Sequence, residues 1–534
     1  MPSTTPGHLF VIDSDLTKLY CDAVLVPVDA GFNMTAHWRD LIGTEHLRQG
    51  PWAAAVDVRS IPEGWGKSVR AWKFRKVGGG PEIWLGDVGR HAPGADWYAD
   101  GLVEFIRRVA TSPDSGAGPA RTTTGPLRVG VPVVGSGAGG SSHDKGHLFS
   151  SIVPALAKAA AEHGVDVVLV CFGAKSYSAA QRARRTYRAG VNAGKGTHGS
   201  GLDDRLQGVA EKLAERAREA NLVLFMGAGV SMGAGGLSWQ ALLDKLAEKS
   251  KVGDELKSAM KKLDVRDQAQ ILKNRLGESF SADVKDMVDT PHYALAHGLL
   301  ASLRVREAVT TNYDRLYETA FQTDRRELAV LPGTPPKRDS PCWLLKLHGT
   351  VEKPEDLVLA RSDYLGLPAR SGALFGILQA MLMTRHMLFV GYSLSDDSFH
   401  RVMHEVSQAR GGSARSTESK LGTALILFPN ALLTELWDKD LNIVHVSDYP
   451  TTAEPGPADF DAAARQLNIL LDEVAFLSAD VSAFLLDTTY RSMLDKEEER
   501  IADALMRVAD SASGAGPIAM RVNEVLRQFG PAAG

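Results

Sequence analysis

Four apolar runs in this sequence each break into residues equipped for chemistry. The first, 222–226, opens into Gly227-Ala228-Gly229-Val230-Ser231. Glycines there let backbone approach a phosphate, and free N–H groups towards a helix start near 238 favour its charge. The second run ends in Thr311-Asn312-Tyr313-Asp314, the third in His348-Gly349, and the fourth in Gly391-Tyr392-Ser393-Leu394. An amide such as Asn312 both donates and accepts, so it can hold a water or a hydroxyl. An imidazole such as His348 titrates near neutral pH and can take a proton from either. Together the tails make a slot for a ligand that carries phosphate and hydroxyl groups, with a base beside it.

The tails meet only if their strands lie side by side. In an open parallel sheet, ligands sit beyond the carboxyl ends of the strands, where the strand order reverses. Strand-like runs at 222–226, 306–310, 343–347, 387–390, 424–428 and 443–446, most of them separated by helical stretches, predict a doubly wound, Rossmann-like parallel sheet. A helix at 203–220 leads into it. The charge-rich stretch 244–303 reads as a helical lobe over one side of the cleft. Residues 1–200 alternate separately, with strands at 9–12, 23–28, 83–85, 127–134 and 167–171 and helices near 99–110 and 145–162. That is an α/β layer of its own, interrupted by a Ser/Gly/Pro/Thr-rich loop at 112–126. The glycine-rich stretch 189–201 reads as the linker. A helical tail follows Pro450, with Leu467, Leu470, Leu471, Val474, Leu477, Val481, Phe484 and Leu485 at helical spacing. Its apolar face packs either on the sheet domain or on a second subunit. Three parts are expected: 1–200, 201–450 and 451–534.

The order and content of the four tails resemble the sirtuin superfamily over about 220 residues. Gly227–Ser231 looks like that family's nucleotide loop, and Asn312-Tyr313-Asp314 stands where it has Asn-x-Asp. His348-Gly349 matches its catalytic histidine motif, and Gly391-Tyr392-Ser393-Leu394 its Gly-Thr-Ser-Leu ribose contact. Two departures select a branch. Sirtuin deacylases carry a four-cysteine zinc module, which the three dispersed cysteines Cys21, Cys171 and Cys342 cannot supply. They also carry an Asp-Phe-Arg run where Gly233-Ala-Gly-Gly-Leu-Ser-Trp239 stands here. Both departures, and the run Gly391-Tyr-Ser-Leu-Ser-Asp-Asp397, resemble the bacterial defence-associated sirtuin-like proteins.

That resemblance implies NAD as substrate, without a metal, cleaved to nicotinamide and ADP-ribose. It implies a signal-regulated enzyme of antiviral, abortive-infection defence. A homo-oligomer is expected, with an ATPase or a phage protein as candidate partner. It implies Asn312, His348 and Asp314 as the catalytic set. Gly227, Ala228 and Gly229 are then expected to cradle the pyrophosphate, with Ser231, Thr311 and Gly391 beside them and Ser393 on the adenosine ribose. The residues also admit plainer roles. Asn312 could bond its own backbone in a turn, and Asp314 could cap a helix at 315–321. Asp396 and Asp397 read as caps of a helix at 398–406, and Trp239 as core.

Within 1–200, Val131-Pro-Val-Val-Gly135-Ser-Gly137-Ala-Gly139-Gly140 again sets glycines between a strand and a helix. With the opening Asp13-Ser-Asp-Leu-Thr-Lys-Leu-Tyr-Cys-Asp-Ala-Val24 it resembles the macro domain family. That implies a second nucleotide site, for an ADP-ribose-like ligand, at Gly135, Gly137 and Gly139. The family's Asn-rich loop is replaced by Val28-Asp-Ala-Gly-Phe-Asn33, which weighs against ADP-ribosyl hydrolysis. A glycine-rich turn in a structural α/β domain fits the same residues.

Bulk properties narrow the classes. Lys and Arg number 60 against 64 Asp and Glu, for a net charge of -4, which argues against nucleic-acid binding by bulk positive charge. The start lacks the basic-then-apolar order of a signal peptide. No apolar run is expected to reach membrane-spanning length. A reducing cytoplasm is the expected compartment. Two other functions stay open: a deacylase or ADP-ribosyltransferase that uses NAD as co-substrate, and a non-catalytic nucleotide sensor or scaffold.

Overall fold

The computed structural model describes residues 6–50, 54–76, 80–89, 94–112, 125–137, 140–192, 200–323, 326–337, 341–411, 420–450, 453–512 and 516–530. They form two compact units, one of residues 1–203 with 479–534 and one of 204–478. The expected helical tail, 451–534, is thus divided. Its first helix, Pro457–Ser478, packs on the helices Asp204–Arg218 and Leu295–Ser302 of the second unit. The remainder packs in the first unit, where Phe484 and Tyr490 enter the core beside Phe149. The division follows side-chain chemistry. Arg182 holds both carboxylate oxygens of Glu498, Lys175 pairs with Asp487 at 2.8 Å, and Ser178 donates to the Asp480 carbonyl.

The first unit has a six-stranded sheet of β1 (Leu9–Asp13), β2 (Ala23–Val28), β3 (Ala71–Lys76), β4 (Glu82–Asp87), β5 (Leu127–Pro132) and β6 (Val165–Cys171), in the order β1-β6-β5-β2-β4-β3. All neighbours are parallel except β3, which runs antiparallel to β4 at the edge. Strand β3 was not foreseen. Its charges at Lys73 and Arg75 break an apolar reading, yet they suit an edge strand, and Lys73 pairs with the buried Glu82 at 2.9 Å. The helix Ala174–Asn192 runs into the stretch read as linker, of which 193–199 lie outside the described residues.

The second unit holds seven parallel strands: β7 (Leu222–Met226), β8 (Glu307–Thr310), β9 (Ala329–Leu331), β10 (Trp343–Lys346), β11 (His386–Val390), β12 (Gly422–Ile426) and β13 (Leu441–His445). Their order is β9-β10-β8-β7-β11-β12-β13. From β7 the chain builds outward through β8 and β10, then crosses back to lay β11 on the other side of β7. The reversal between β7 and β11 is the switch point where doubly wound sheets bind ligands. Strands buried on both faces are apolar throughout, as Leu-Val-Leu-Phe-Met of β7 is. Phe225, Phe389 and Phe399 pack with ring centroids 5.2–5.6 Å apart beneath this point.

The expected helical lobe is present. Helices Trp239–Lys249, Asp254–Met260, Val265–Leu276 and Phe280–Val288 share a core of Leu242, Leu246, Leu272, Phe280 and Val284 that also takes in Tyr313 and Val351. One expectation about apolar length fails. The helix Arg361–Thr384 is long and apolar enough to cross a membrane by length and composition alone. Here Leu367, Phe375, Leu378, Met381 and Leu382 are buried against the sheet, and the backbone kinks at Ser371.

Candidate active site at the switch point

The glycines after β7 are required by a close approach of two chains. Gly227 N–H donates to Val390 O at 3.0 Å, and Gly229 N–H to Gly391 O at 2.9 Å, so the turn is stitched to the tail of β11. A Cβ on Gly227 would stand 2.5 Å from Gly391 O, and one on Gly229 2.8 Å from Gly391 Cα. Gly391 itself has φ +63. The Val230 and Ser231 N–H groups close on Gly227 O and Ala228 O. The expectation of free N–H groups at this turn is therefore corrected at 227, 229, 230 and 231. Backbone, rather than open space, occupies the room the missing side chains leave. The helix start at Trp239 is capped by Ser238 Oγ, which accepts from Ala241 N–H at 3.2 Å.

The turn after β8 is held just as closely. Thr310 Oγ1 donates to Met226 O at 3.1 Å and accepts from Asn312 N–H at 2.9 Å. Thr311, half-buried, donates its N–H to Met226 O at 3.3 Å. Asn312 Nδ2 donates to Gly227 O at 3.1 Å and to Ser231 Oγ at 3.2 Å, which uses both amide hydrogens. Ser231 Oγ in turn donates to Asp314 Oδ2 at 2.8 Å. The other oxygen of Asp314 accepts the Leu316 N–H at 3.1 Å, so Asp314 serves both the helix Leu316–Phe321 and the loop. Asn312, Asp314 and Ser231 are thus brought together.

Two residues that sequence reasoning passed over complete this cluster. His297 Nδ1 accepts the Ala294 N–H at 3.2 Å, so its hydrogen sits on Nε2, 3.5 Å from Ser231 Oγ. Burial pushes His297 down to about 4, against the pull of the Asp314 charge, and the ring is neutral at physiological pH. Lys346, 2% exposed, donates to the carbonyls of Tyr313 and Asp314 and to Glu318 Oε1 at 2.8 Å, pinning the turn from below. Burial raises the Glu318 carboxyl, and Lys346 opposes that rise. Lys346 left a legible signal, a lysine inside the apolar run Leu344-Leu-Lys-Leu347, since lysine is rarely buried unpaired. His297 left none, because helical spacing does not say which loop a side chain meets.

Thr310 pairs with Lys346 in the β8–β10 register, so Asn312 and His348 each lie two residues beyond neighbouring strand ends. His348 is 4% exposed, with Nε2 3.3 Å from Asp396 Oδ2 and the Tyr364 ring edge-on at 5.5 Å. Burial pushes the imidazole down and Asp396 pulls it back. Asp396 caps the helix Asp397–Ala409 as expected, whereas the Asp397 side chain pairs with Arg266 of the lobe. Ser393 is exposed, with Oγ 2.6 Å from Ser395 Oγ. Leu394 beside it is buried with φ +58, a conformation a branched side chain adopts only under constraint.

In the first unit, Gly135 has φ +81, and a Cβ there would stand 2.8 Å from the Tyr98 ring. A Cβ on Gly137 would meet nothing within 4 Å, and Gly139 lies outside the described residues. The following helix, Lys145–His163, starts on the carboxylate of Asp144, which accepts the His147 N–H at 3.1 Å. Among the described residues no group of three or more His, Cys, Asp or Glu is placed to hold a metal.

Residues 306–445 match the family described as SIR2-like domain, a span that takes in Asn312, Asp314, His348, Gly391 and Asp396. Over 204 residues the chain is 30% identical to the NAD(+) hydrolase ThsA of Bacillus cereus (strain MSX-D12), covering 36% of this chain and 41% of that protein. The NAD(+) hydrolase ThsA of Enterococcus faecium is 30% identical over 207 residues, or 37% of this chain and 42% of that one. Defense-associated sirtuin 2 of Bacillus subtilis is 28% identical over 220 residues, 40% of this chain and 22% of its own length. The chain spans about two fifths of the length of the ThsA relatives it matches.

Proposed function

We propose, from the match of residues 306–445 to the SIR2-like domain family, that this chain hydrolyses NAD to nicotinamide and ADP-ribose. The observation that carries the reading is the fixed amide of Asn312. With both hydrogens committed to Gly227 O and Ser231 Oγ, its carbonyl oxygen is the group left to accept from a water or a ribose hydroxyl. His348 stands one strand over at the same level. In the proposed step a water oxygen attacks C1′ of the nicotinamide ribose and the C1′–N bond breaks. The electron pair of that bond stays with the pyridine nitrogen, so nicotinamide leaves neutral. The proton of the water passes to His348 and then to solvent. Asp314 holds the Asn312 loop through Ser231. The pyrophosphate would lie outside the stitched turn, beside Ala228 and Thr311, with the exposed Ser393 hydroxyl toward the adenosine ribose.

The relatives named NAD(+) hydrolase and defense-associated sirtuin support the same chemistry, used in antiviral defence. The burial of the His348 side chain, 4% exposed, supports a resting form that opens on a signal, since unrestrained NAD loss would harm a host. An ADP-ribose-like nucleotide on the first unit, a phage protein, a partner ATPase or assembly of several copies would supply that signal. The test is nicotinamide release from NAD by the purified protein. Asn312→Ala and His348→Ala should each lower turnover about 10²–10⁴-fold with thermal unfolding kept. Release near the wild-type rate by both variants would overturn the assignment.

A further inference from the structure

An N-terminal helix cap uses one side-chain oxygen, and Ser, Thr or Asn supplies it as well as Asp does. Asp396 has a second oxygen in use. Oδ1 takes the Ser398 N–H at 2.7 Å and lies 3.4 Å from the Phe399 nitrogen, while Oδ2 faces His348 Nε2 at 3.3 Å. The two side chains are 11% and 4% exposed, so water screens the pair little. A carboxylate does here what a neutral cap would not, because it sets a negative charge 3.3 Å from His348 Nε2 where little water screens it.

We propose that Asp396 is a positioning residue for His348. Its charge beside Nε2 favours the hydrogen on that nitrogen, so the other ring nitrogen, Nδ1, carries the lone pair that acts as the base. A base oriented by a third group in this way is the general arrangement for activated water or hydroxyl. The kinetic side of this inference rests on the NAD-hydrolysis reading, while the pairing itself does not.

Other polar and ionisable groups surround the pair. Tyr364, from the helix Arg361–Thr384, stands edge-on to the imidazole, and Arg266 of the lobe lies over the Tyr364 ring at 5.6 Å. Tyr313 comes from the turn after β8 and donates its hydroxyl to Val358 O at 2.7 Å. Tyr392 comes from the same tail as Asp396. Burial raises all three phenols, and Asp396 raises them further, so they stay neutral. Asp397 is engaged by Arg266, and Arg266 also pairs with Asp264.

Asp396→Asn keeps the cap and removes the charge, so it separates the two roles. Asp396→Ser, another good cap, repeats the test without an amide. With ¹³C,¹⁵N-labelled histidine, and the His348 signal assigned by its loss in His348→Gln, wild-type protein should show the Nε2–H tautomer. Both variants should titrate His348 at lower pH, since the charge that favours imidazolium is gone. The acid limb of kcat/KM should shift the same way, and kcat should fall roughly 10-fold or more at neutral pH while KM and the melting temperature change little. An unchanged His348 titration and pH profile in both variants would make Asp396 a cap only and overturn the proposal. If wild-type protein releases no nicotinamide, the hydrolase reading fails, and the histidine titration still decides the pair.

Discussion

Two glycine turns in this chain look alike as sequence and differ as structure. Each follows a strand, carries Gly-x-Gly and precedes a helix. After β7, the glycines let one backbone lie on another, with Gly227 and Gly229 against Gly391 at the switch point. After β5, Gly135 makes room for the ring of Tyr98, and Gly137 faces open space. Around the first of these, Asn312, Ser231, Asp314 and His297 are linked through one serine hydroxyl. At the second, the helix already starts on the Asp144 carboxylate, which also accepts from Ser492 Oγ at 2.5 Å. A glycine motif therefore specifies closeness, not the thing that comes close. What came close after β7 was decided by the tails of β8 and β11.

The largest effect expected from this contrast is at Gly391. Alanine there must adopt φ +63, at about 1–2 kcal/mol, and its Cβ would collide with the Val230 nitrogen and stand 2.9 Å from Gly229 Cα. Neither neighbour is a side chain that can swing away, so the two turns must separate. Gly391→Ala should cost about 3–5 kcal/mol of stability, read as the midpoint of urea unfolding. A loss under about 1 kcal/mol would mean that the stitched turns are looser than their hydrogen bonds imply.

The two turns also differ in how acid should reach them. His297, beneath the β7 turn, is held down at about 4 by burial, against an ordinary value of 6.5. Above 6.5 the ring is neutral both folded and unfolded and contributes no pH dependence. Between 6.5 and 4 the unfolded chain takes up a proton that the folded form excludes, so stability falls as pH falls, by up to about 1.4 kcal/mol per unit. Asp144 at the other turn behaves oppositely in range. Although burial works to raise its carboxyl, hydrogen bonds from Ser492 and His147 hold it below 3.8, so its contribution persists until stronger acid. Unfolding midpoints at pH 7.5 and 5.0 check this. His297→Gln should lose about 2 kcal/mol less than wild type between the two, and equal losses would show that His297 charges without penalty. His386, also pushed down to about 4 by burial but at the start of β11, supplies a control away from the turn.

Legibility from sequence followed the same divide between what a strand reveals about itself and what it reveals about its neighbours. β7, β8, β10 and β11 were readable because a strand covered on both faces is apolar along its length. β12 and β13 were placed about two residues late, because Gly422-Thr423 and Leu441-Asn442 open them with weakly apolar pairs. β9, three residues at the sheet edge, offered too short a pattern to see. The convergence of Asn312, Ser231 and Asp314 followed from strand order alone. His297 and the second oxygen of Asp396 did not, because both depend on contacts between segments far apart in the chain. Helical periodicity marked the apolar face of the tail, but not the unit that each part of it covers.

The smallest effect distinguishes a glycine kept for space from one that is merely present. A Cβ at Gly137 meets nothing within 4 Å, and its backbone lies outside the left-handed region. Gly137→Ala should therefore leave stability within about ±0.5 kcal/mol, a melting-temperature change near the limit of detection, while narrowing the unfolded ensemble slightly in its favour. The same substitution tests the ligand reading of this turn. If an ADP-ribose-like molecule lies against Gly137, calorimetry should show its binding weakened by alanine although the melting curve of the free protein does not move. If neither stability nor nucleotide binding changes, Gly137 is an ordinary loop residue, and the resemblance between the two turns ends at their spelling.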